Sequence, residues 1–488
     1  MLTFEPFSLS ALKKFIRYIK CNPSLCSDIS AGFLFMWHDG ADVQFCEWNG
    51  TFTVRQIIGE QPAFSYPIGN DPDGMICEIK EYARSNRLPM RFFAVDKNTL
   101  EIILSDPRLS PAMFAFDRRW SDYIYSFEEA MTFQGKKYSG QRNHINKFKK
   151  LYGEPDIRFL TENDKPEVEK MLKEYEKEHP EGNAIERIEL EKTKELFDVF
   201  QELGLFAAGL FVNGVLAAFS IGEVVGDTLI IDVEKALTCY EGIYPTMYSG
   251  FVNLISERSG GPLKFVNRED DSGDPGLRTS KLQYHPVSIV DKYLVHVSSP
   301  AVRAKKTVTL RCGDIYLTEF RETDKQAYLR LNTDIENNRF WGYDYREDET
   351  ITGPVDENTF YDSVMYDMQA GDSVNLAVRL SENGEMIGEA ILWNFTSVST
   401  AELGCRILPE YHGKGYGKAA FGAAARYAEE ILNVTLIARC NVDNTASERM
   451  ISANGFLPLY DEKEYRYFIR KTAVNECIPV CSYSLCSQ

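Results

Sequence analysis

The 488-residue chain has no apolar run approaching the length of a membrane span, and its first ten residues contain neither a basic segment nor an apolar core. Those two absences predict a cytoplasmic protein with no membrane partner. Positive charge is also short: 54 Lys and Arg stand against 72 Asp and Glu, a formal charge of −18. Such a balance argues against general nucleic-acid binding, which rests on neutralising phosphates, and favours cationic small molecules or basic protein segments as partners. The eleven cysteines lack the paired spacing of a metal site. Cys77, Cys405 and Cys440 lie in apolar-rich segments, as reduced core thiols do. Cys477, Cys481 and Cys486 cluster near the end without a second pair or a nearby His to complete four ligands. No metal is expected.

What the chain does have is length and apolar content. Its size exceeds a single ordinary core and predicts two to four domains. A hydrophobic fraction of 44% and an aromatic fraction of 12% belong to a well-packed globular protein. The most informative stretch is 405–418, Cys-Arg-Ile-Leu-Pro-Glu-Tyr-His-Gly-Lys-Gly-Tyr-Gly-Lys, which runs into an apolar-periodic segment from Ala419 to Leu432. A strand there passes to a helix through a glycine-rich loop. Gly413, Gly415 and Gly417 allow backbone to approach a ligand closely, and a helix N-terminus offers unpaired N–H groups to an anion. The spacing is neither a Walker loop nor a dinucleotide fingerprint.

The loop resembles the acetyl-CoA loop of the GNAT acyltransferases, with His412 where Gln or Arg usually stands. The resemblance implies that His412, Gly413, Lys414, Gly415, Tyr416, Gly417 and Lys418 hold the pyrophosphate of acetyl-CoA. It also implies that a backbone N–H near Ile407 faces the thioester carbonyl. The surrounding order fits the same layout: strand Ile315–Phe320, a helix from Asp324, a hairpin of Asn375–Leu380 and Met386–Trp393, strand Thr400–Ile407, the loop helix, strand Leu436–Val442, a short helix from Asn444, and strand Tyr465–Arg470.

The middle of the chain repeats the logic more weakly. Leu205–Val212 and Val215–Ile221 form another hairpin about Asn213-Gly214, and Leu229–Val233 leads into a helical stretch through Gly242 alone. With one glycine, that turn should not hold CoA. The first block alternates strands and helices through Phe33–Trp37, Phe52–Ile58, Ile76–Arg87 and Arg91–Val95, with no phosphate loop. The expected fold is therefore α/β with mixed sheets, as three tandem GNAT-like folds. The expected bounds are 1–152, 153–303 and 304–472, followed by a peripheral tail, 473–488.

Between the first two blocks, six of the fifteen residues from Lys136 to Lys150 are basic and none is acidic. With Glu234-Lys235-Ala236 and the run Asn267 to Arg278, the first 300 residues resemble the phosphatidylglycerol lysyltransferase C-terminal domain family. That family pairs two GNAT-like folds, and some members take an aminoacyl group from tRNA. Its lysyltransferases carry a large membrane domain that this chain replaces with a further GNAT-like block, so the lipid-modifying activity is not expected to carry over.

Acyl transfer to an amine needs a polarised carbonyl, a route for the amine proton and a proton for the departing thiolate. In strand Thr400–Ile407, Glu402, Gly404 and Arg406 share one face. Glu402 is a candidate base, or else a structural ion-pair partner. Asn444 is placed as an N-cap and, by resemblance to the ribosomal-protein N-acetyltransferases, as a CoA contact, with Ser447 near the sulfur. Trp341, Tyr343 and Asp344 fall where the acceptor loop lies and would suit a cation, or else pack as ordinary aromatic structure. The acidic run Glu269–Asp274 lacks a calcium-loop pattern and is expected to order a loop or to meet a cationic acceptor group. The expected activity is acetyl-CoA-dependent N-acetylation of an amine-bearing small molecule or protein N-terminus, with the N-terminal pair of folds shaping acceptor choice. Two other functions remain open: aminoacyl transfer from tRNA through the N-terminal pair, and non-catalytic sensing of acyl-CoA.

Overall fold

A computed structural model describes residues 2–470 except 23, 60, 87, 180–183, 260, 298–307, 349–350, 352–353 and 396–399. Cys477, Cys481, Cys486, the expected tail and the expected junction at 303–304 lie outside the described residues. The chain divides into two compact units, one of 1–82, 91–105 and 116–294, the other of 83–90, 106–115 and 295–488.

The same construction occurs in each of three sheets: a strand, a crossover helix, and a return strand parallel to the first. In the first sheet, Gln61–Ser65 leads through helix Pro72–Ser85 to Met90–Val95, with Phe64 opposite Phe92. In the second, Thr228–Ala236 leads through helix Ile243–Arg258 to Phe265–Asn267. In the third, Thr400–Ile407 leads through helix Tyr416–Tyr427 to Thr435–Asn441. Each sheet also contains a hairpin whose strands pair antiparallel, so all three sheets are mixed, as expected.

Phe33–Trp37 lies within helix Ala31–Ala41, where Ser30 caps the N-terminus by accepting from the Phe33 N–H. The expected division at residue 152 falls in the wrong place. Strand Asp122–Ser126 pairs with Phe265–Asn267 of the second sheet, and Tyr123, Tyr125, Phe133 and Phe148 join that sheet's core. The segment 122–152 thus belongs with the second fold. Its place is fixed by pairing with a strand more than a hundred residues on, which local spacing does not show.

In the second unit, Ala420, Phe421, Ala424 and Ala428 are buried against Leu403 and Ile407. Small alanines bring the helix axis close to the sheet, and Phe421 alone contributes about 2–3 kcal/mol of apolar burial. The α-helix ends at Tyr427 and Ala428–Leu432 continues as a wider π turn.

Candidate active site

The parallel pairing of the third sheet stops early. Thr400, Ala401 and Glu402 pair with Thr435, Leu436 and Ile437, whereas the antiparallel ladder on the other side of Thr400–Ile407 runs on to Ile407. From Leu403 onward one edge of this strand is therefore open. The Leu408 N–H bonds to Ile387 O across the antiparallel ladder. Because N–H groups alternate in direction along a strand, those of Ile407 and Cys405 face the open edge. A cavity of about 880 Å³ occupies the gap and is lined by both strands, the glycine loop and the start of helix Thr445–Ser452.

The loop at its mouth is built to leave an N-terminus bare. Gly415 adopts φ 82° and caps helix Tyr416–Tyr427 without any side-chain hydrogen bond. Gly413 is likewise at φ 75°, and a Cβ at either position would meet no atom within 4 Å. The space in front of the first N–H groups is open, and the helix dipole favours an anion there.

The other two crossovers differ at the corresponding end, although a cavity of about 480 Å³ also borders Gly242, Ile243 and Tyr244 at the second. In the first sheet the Asp71 carboxylate accepts from the Gly74 N–H at 2.9 Å, so an anion of the chain's own already occupies the helix start. In the second, the His144 carbonyl oxygen lies against Gly242, so close that a Cβ there would collide with it.

The cavity gathers most of the expected site residues. Ile407, His412, Gly413, Gly415, Tyr416, Gly417, Lys418, Asn444, Ser447 and Trp341 line it. Lys414 is exposed beside them, its ammonium 5.1 Å from the Tyr411 ring. The His412 ring bonds the Ile407 carbonyl at 2.8 Å, so His412 ties the loop to the strand end. Asn444 caps helix Thr445–Ser452 by accepting from the Ser447 N–H at 3.1 Å.

Besides Lys414, three expected residues are not among those lining the cavity. Glu402 sits behind the wall, 8% exposed, bonded by Asn394 Nδ2 at 3.1 Å and paired with Arg439 Nε at 2.9 Å. Arg439, not Glu402, reaches the cavity. Tyr343 donates to Asp348 at 2.8 Å; burial and that carboxylate push its hydroxyl pKa up. Asp344 holds Arg346, whose guanidinium lowers its pKa to about 2.

Sequence reasoning missed the residues behind Trp341. Arg406 is buried, its Nε donating to Glu389 at 2.6 Å and its terminal nitrogens to Asn338 at 2.8 Å and Asn332 at 2.7 Å. Arg406 alternates with Glu402 on one strand face, but its partners lie 17, 68 and 74 residues away, so local spacing carries no signal for them. Cys405 and Cys440 also line the cavity. Burial pushes their thiols up to about 12 and about 11, which disfavours the nucleophilic thiolate at neutral pH.

In the first unit the charged features are mostly consumed locally. Of the basic segment, Lys137 pairs with Glu129, Lys147 with Glu241 and Lys149 with Glu154. In the acidic run, Asp271 binds Arg278 and Tyr123, and Asp274 caps helix Pro275–Gln283. Among the described residues no group of three His, Cys, Asp or Glu side chains is arranged to hold a metal, and no helix is long and apolar enough to cross a membrane.

Comparison with known proteins bears on both units. Residues 24–296 match the family described as phosphatidylglycerol lysyltransferase, C-terminal, and residues 314–457 match the acetyltransferase (GNAT) domain. A conserved protein of unknown function from Bacteroides thetaiotaomicron VPI-5482 is 29% identical over 61% of this chain and 100% of its own, with a TM-score of 0.55. The structure of L-PGS from Bacillus licheniformis is 15% identical, covering 60% of this chain and 93% of its own, with a TM-score of 0.45. An uncharacterized protein of Mycoplasmoides gallisepticum is 25% identical over 178 residues, which are 36% of this chain and 56% of that protein. The first match spans more than half of the 488 residues. The chain therefore belongs to the phosphatidylglycerol lysyltransferase C-terminal family, and with a GNAT acetyltransferase domain at 314–457 it is an acyltransferase.

Proposed function

We propose that the chain transfers an acetyl group from acetyl-CoA to the amine of a small molecule or a protein N-terminus, in the cavity between 403–407 and 439–440. The observation that carries this reading is the uncapped start of helix Tyr416–Tyr427, open in front of Gly413 and Gly415 and continuous with the unpaired strand edge. Its donors are main-chain N–H groups, with Lys414 and Lys418 adding positive charge, and they fit a pyrophosphate.

Bound acetyl-CoA would supply an activated thioester. The chain's own part is then mostly positioning. The open-edge N–H groups of Cys405 and Ile407 are fixed donors for a carbonyl oxygen that gains negative charge. Ser447 is the hydroxyl assigned to return a proton to the departing sulfur. Glu402 holds Arg439 at the splay, and the amine proton leaves through water rather than to Glu402 directly. The N-terminal pair of folds contributes acceptor selection. Calorimetry of the full chain with CoA, followed by thiol release from acetyl-CoA against a panel of amines, tests the reading. CoA binding without thiol release for any amine would favour an acyl-CoA sensor.

Membership of the lysyltransferase C-terminal family favours a second reading for 24–296, aminoacyl transfer from tRNA. The ion pairs of Lys137, Lys147 and Lys149 leave the 136–150 segment with less free charge than its sequence suggests. Binding of an aminoacyl-tRNA whose affinity falls steeply with salt would support that reading. Absence of binding at low salt would remove it.

A further inference from the structure

We infer that Trp341, backed by Trp393, forms a fixed wall that limits the acyl group taken into this cavity to about the size of acetyl. The inference rests on the acetyl-CoA reading and names the residues that would set its donor choice.

The wall stands at the point where the strands part. Trp393 lies opposite Glu402, the last residue of Thr400–Ile407 still paired on its parallel side. Gly404 follows two residues later on the same strand face, away from the crossover helix. A Cβ added to Gly404 would stand 2.8 Å from Trp341 Cη2 and 2.8 Å from Trp393 Cζ3, closer than side chains approach one another. The two indoles therefore lie flush on the bare backbone of residue 404. The flanking N–H of Cys405 is one of the two that face the open edge. A thioester carbonyl bonded there would direct its acyl carbon toward Gly404 and the rings above it.

The wall is braced against swinging aside. The Arg406 guanidinium lies 4.9 Å from the Trp341 ring centre. It is held by Glu389, Asn338 and Asn332, and the Asn338 amide in turn donates to the carbonyls of Leu331 at 2.7 Å, Asn332 at 3.2 Å and Asp334 at 2.9 Å. The rings also contact each other, with centroids 6.3 Å apart. Moving Trp341 would strip a buried cation of its ring and disturb a filled hydrogen-bond network, so a longer acyl chain meets a rigid surface.

The test is calorimetry of the full chain with CoA, acetyl-CoA and hexanoyl-CoA. The wild type binds acetyl-CoA at least about tenfold more tightly than hexanoyl-CoA, in line with the selectivity that apolar pockets achieve over added methylenes. Trp341→Ala and Trp393→Ala bring the two thioesters to within about threefold by strengthening hexanoyl-CoA binding, while the affinity for CoA itself, which also reports folding, stays put. Trp341→Phe, the milder change, falls between. Equal binding of the two thioesters by the wild type overturns the wall. So does an unchanged ratio in the variants that still bind CoA, the result expected if Trp341 serves the acceptor instead. Failure of the wild type to bind CoA at all sinks the acetyl-CoA reading, and this inference with it.

Discussion

The carbonyl of His144 occupies the place that a side chain on Gly242 would need, so the second crossover helix of this chain begins beneath another helix's main chain. At the third crossover the same position is empty.

One CoA per chain is the expected stoichiometry, because Asp71 already accepts from the first helix start and the His144 carbonyl crowds Gly242 at the second. Gly415→Val forces a branched residue into φ 82° and places carbon in the open mouth. It should abolish CoA binding in calorimetry, with about 1–2 kcal/mol of stability lost to the left-handed conformation. A second equivalent of CoA bound by the wild type would show that one of those two ends also takes the ligand.

Glu402→Gln should lower turnover by about tenfold or less and leave the pH profile of the rate in place, since the carboxylate is engaged with Arg439 rather than with the cavity. Arg439→Ala should lower it at least as much. Loss of the basic limb of the pH profile in Glu402→Gln would return Glu402 to the role of general base.

Arg406→Ala leaves the Glu389 carboxylate buried without its cation. Breaking one side of such a pair costs about 3–5 kcal/mol, read as a lower denaturation midpoint. Removing both charges in Arg406→Met with Glu389→Gln should recover much of that loss.

In the first unit, Glu223 accepts from the Gly32 N–H at 2.8 Å beside Asp232. Burial raises its pKa to about 7, against the opposing pull of the Gly32 N–H and the Lys20 cation. A carboxyl that is harder to ionise in the folded chain favours folding at low pH. That advantage declines as the pH rises from the ordinary carboxylate range through about 7. Glu223→Gln should flatten this dependence and raise the melting temperature at pH 8, an effect of about 1–3 kcal/mol. A wild type equally stable at pH 5 and pH 8 would contradict it.

How much of this was legible in the sequence follows from the range over which each feature is encoded. The cradle lies within seven consecutive residues, His412 to Lys418, and glycines at left-handed positions leave a local trace. Strand Thr400–Ile407 coincides with its expected bounds because Pro409 and the glycines punctuate it. Arg406 and its partners left none, since a buried guanidinium is specified by residues far apart in the chain. Tyr343 and Asp344 looked available for the opposite reason: sequence shows a side chain's chemistry, but not that Asp348 and Arg346 have already claimed it. The misplaced division at 152 has a similar origin, because strand Asp122–Ser126 pairs with Phe265–Asn267, more than a hundred residues on.

One cavity joins the glycine loop to the open edge of strand Thr400–Ile407, and its two cysteines, Cys405 and Cys440, are held as thiols by burial. Under the proposed acetyl transfer they give no covalent way station, so donor and amine must be present together. Initial-velocity plots at several donor concentrations should then intersect rather than run parallel. Free CoA should compete with the donor but not with the amine.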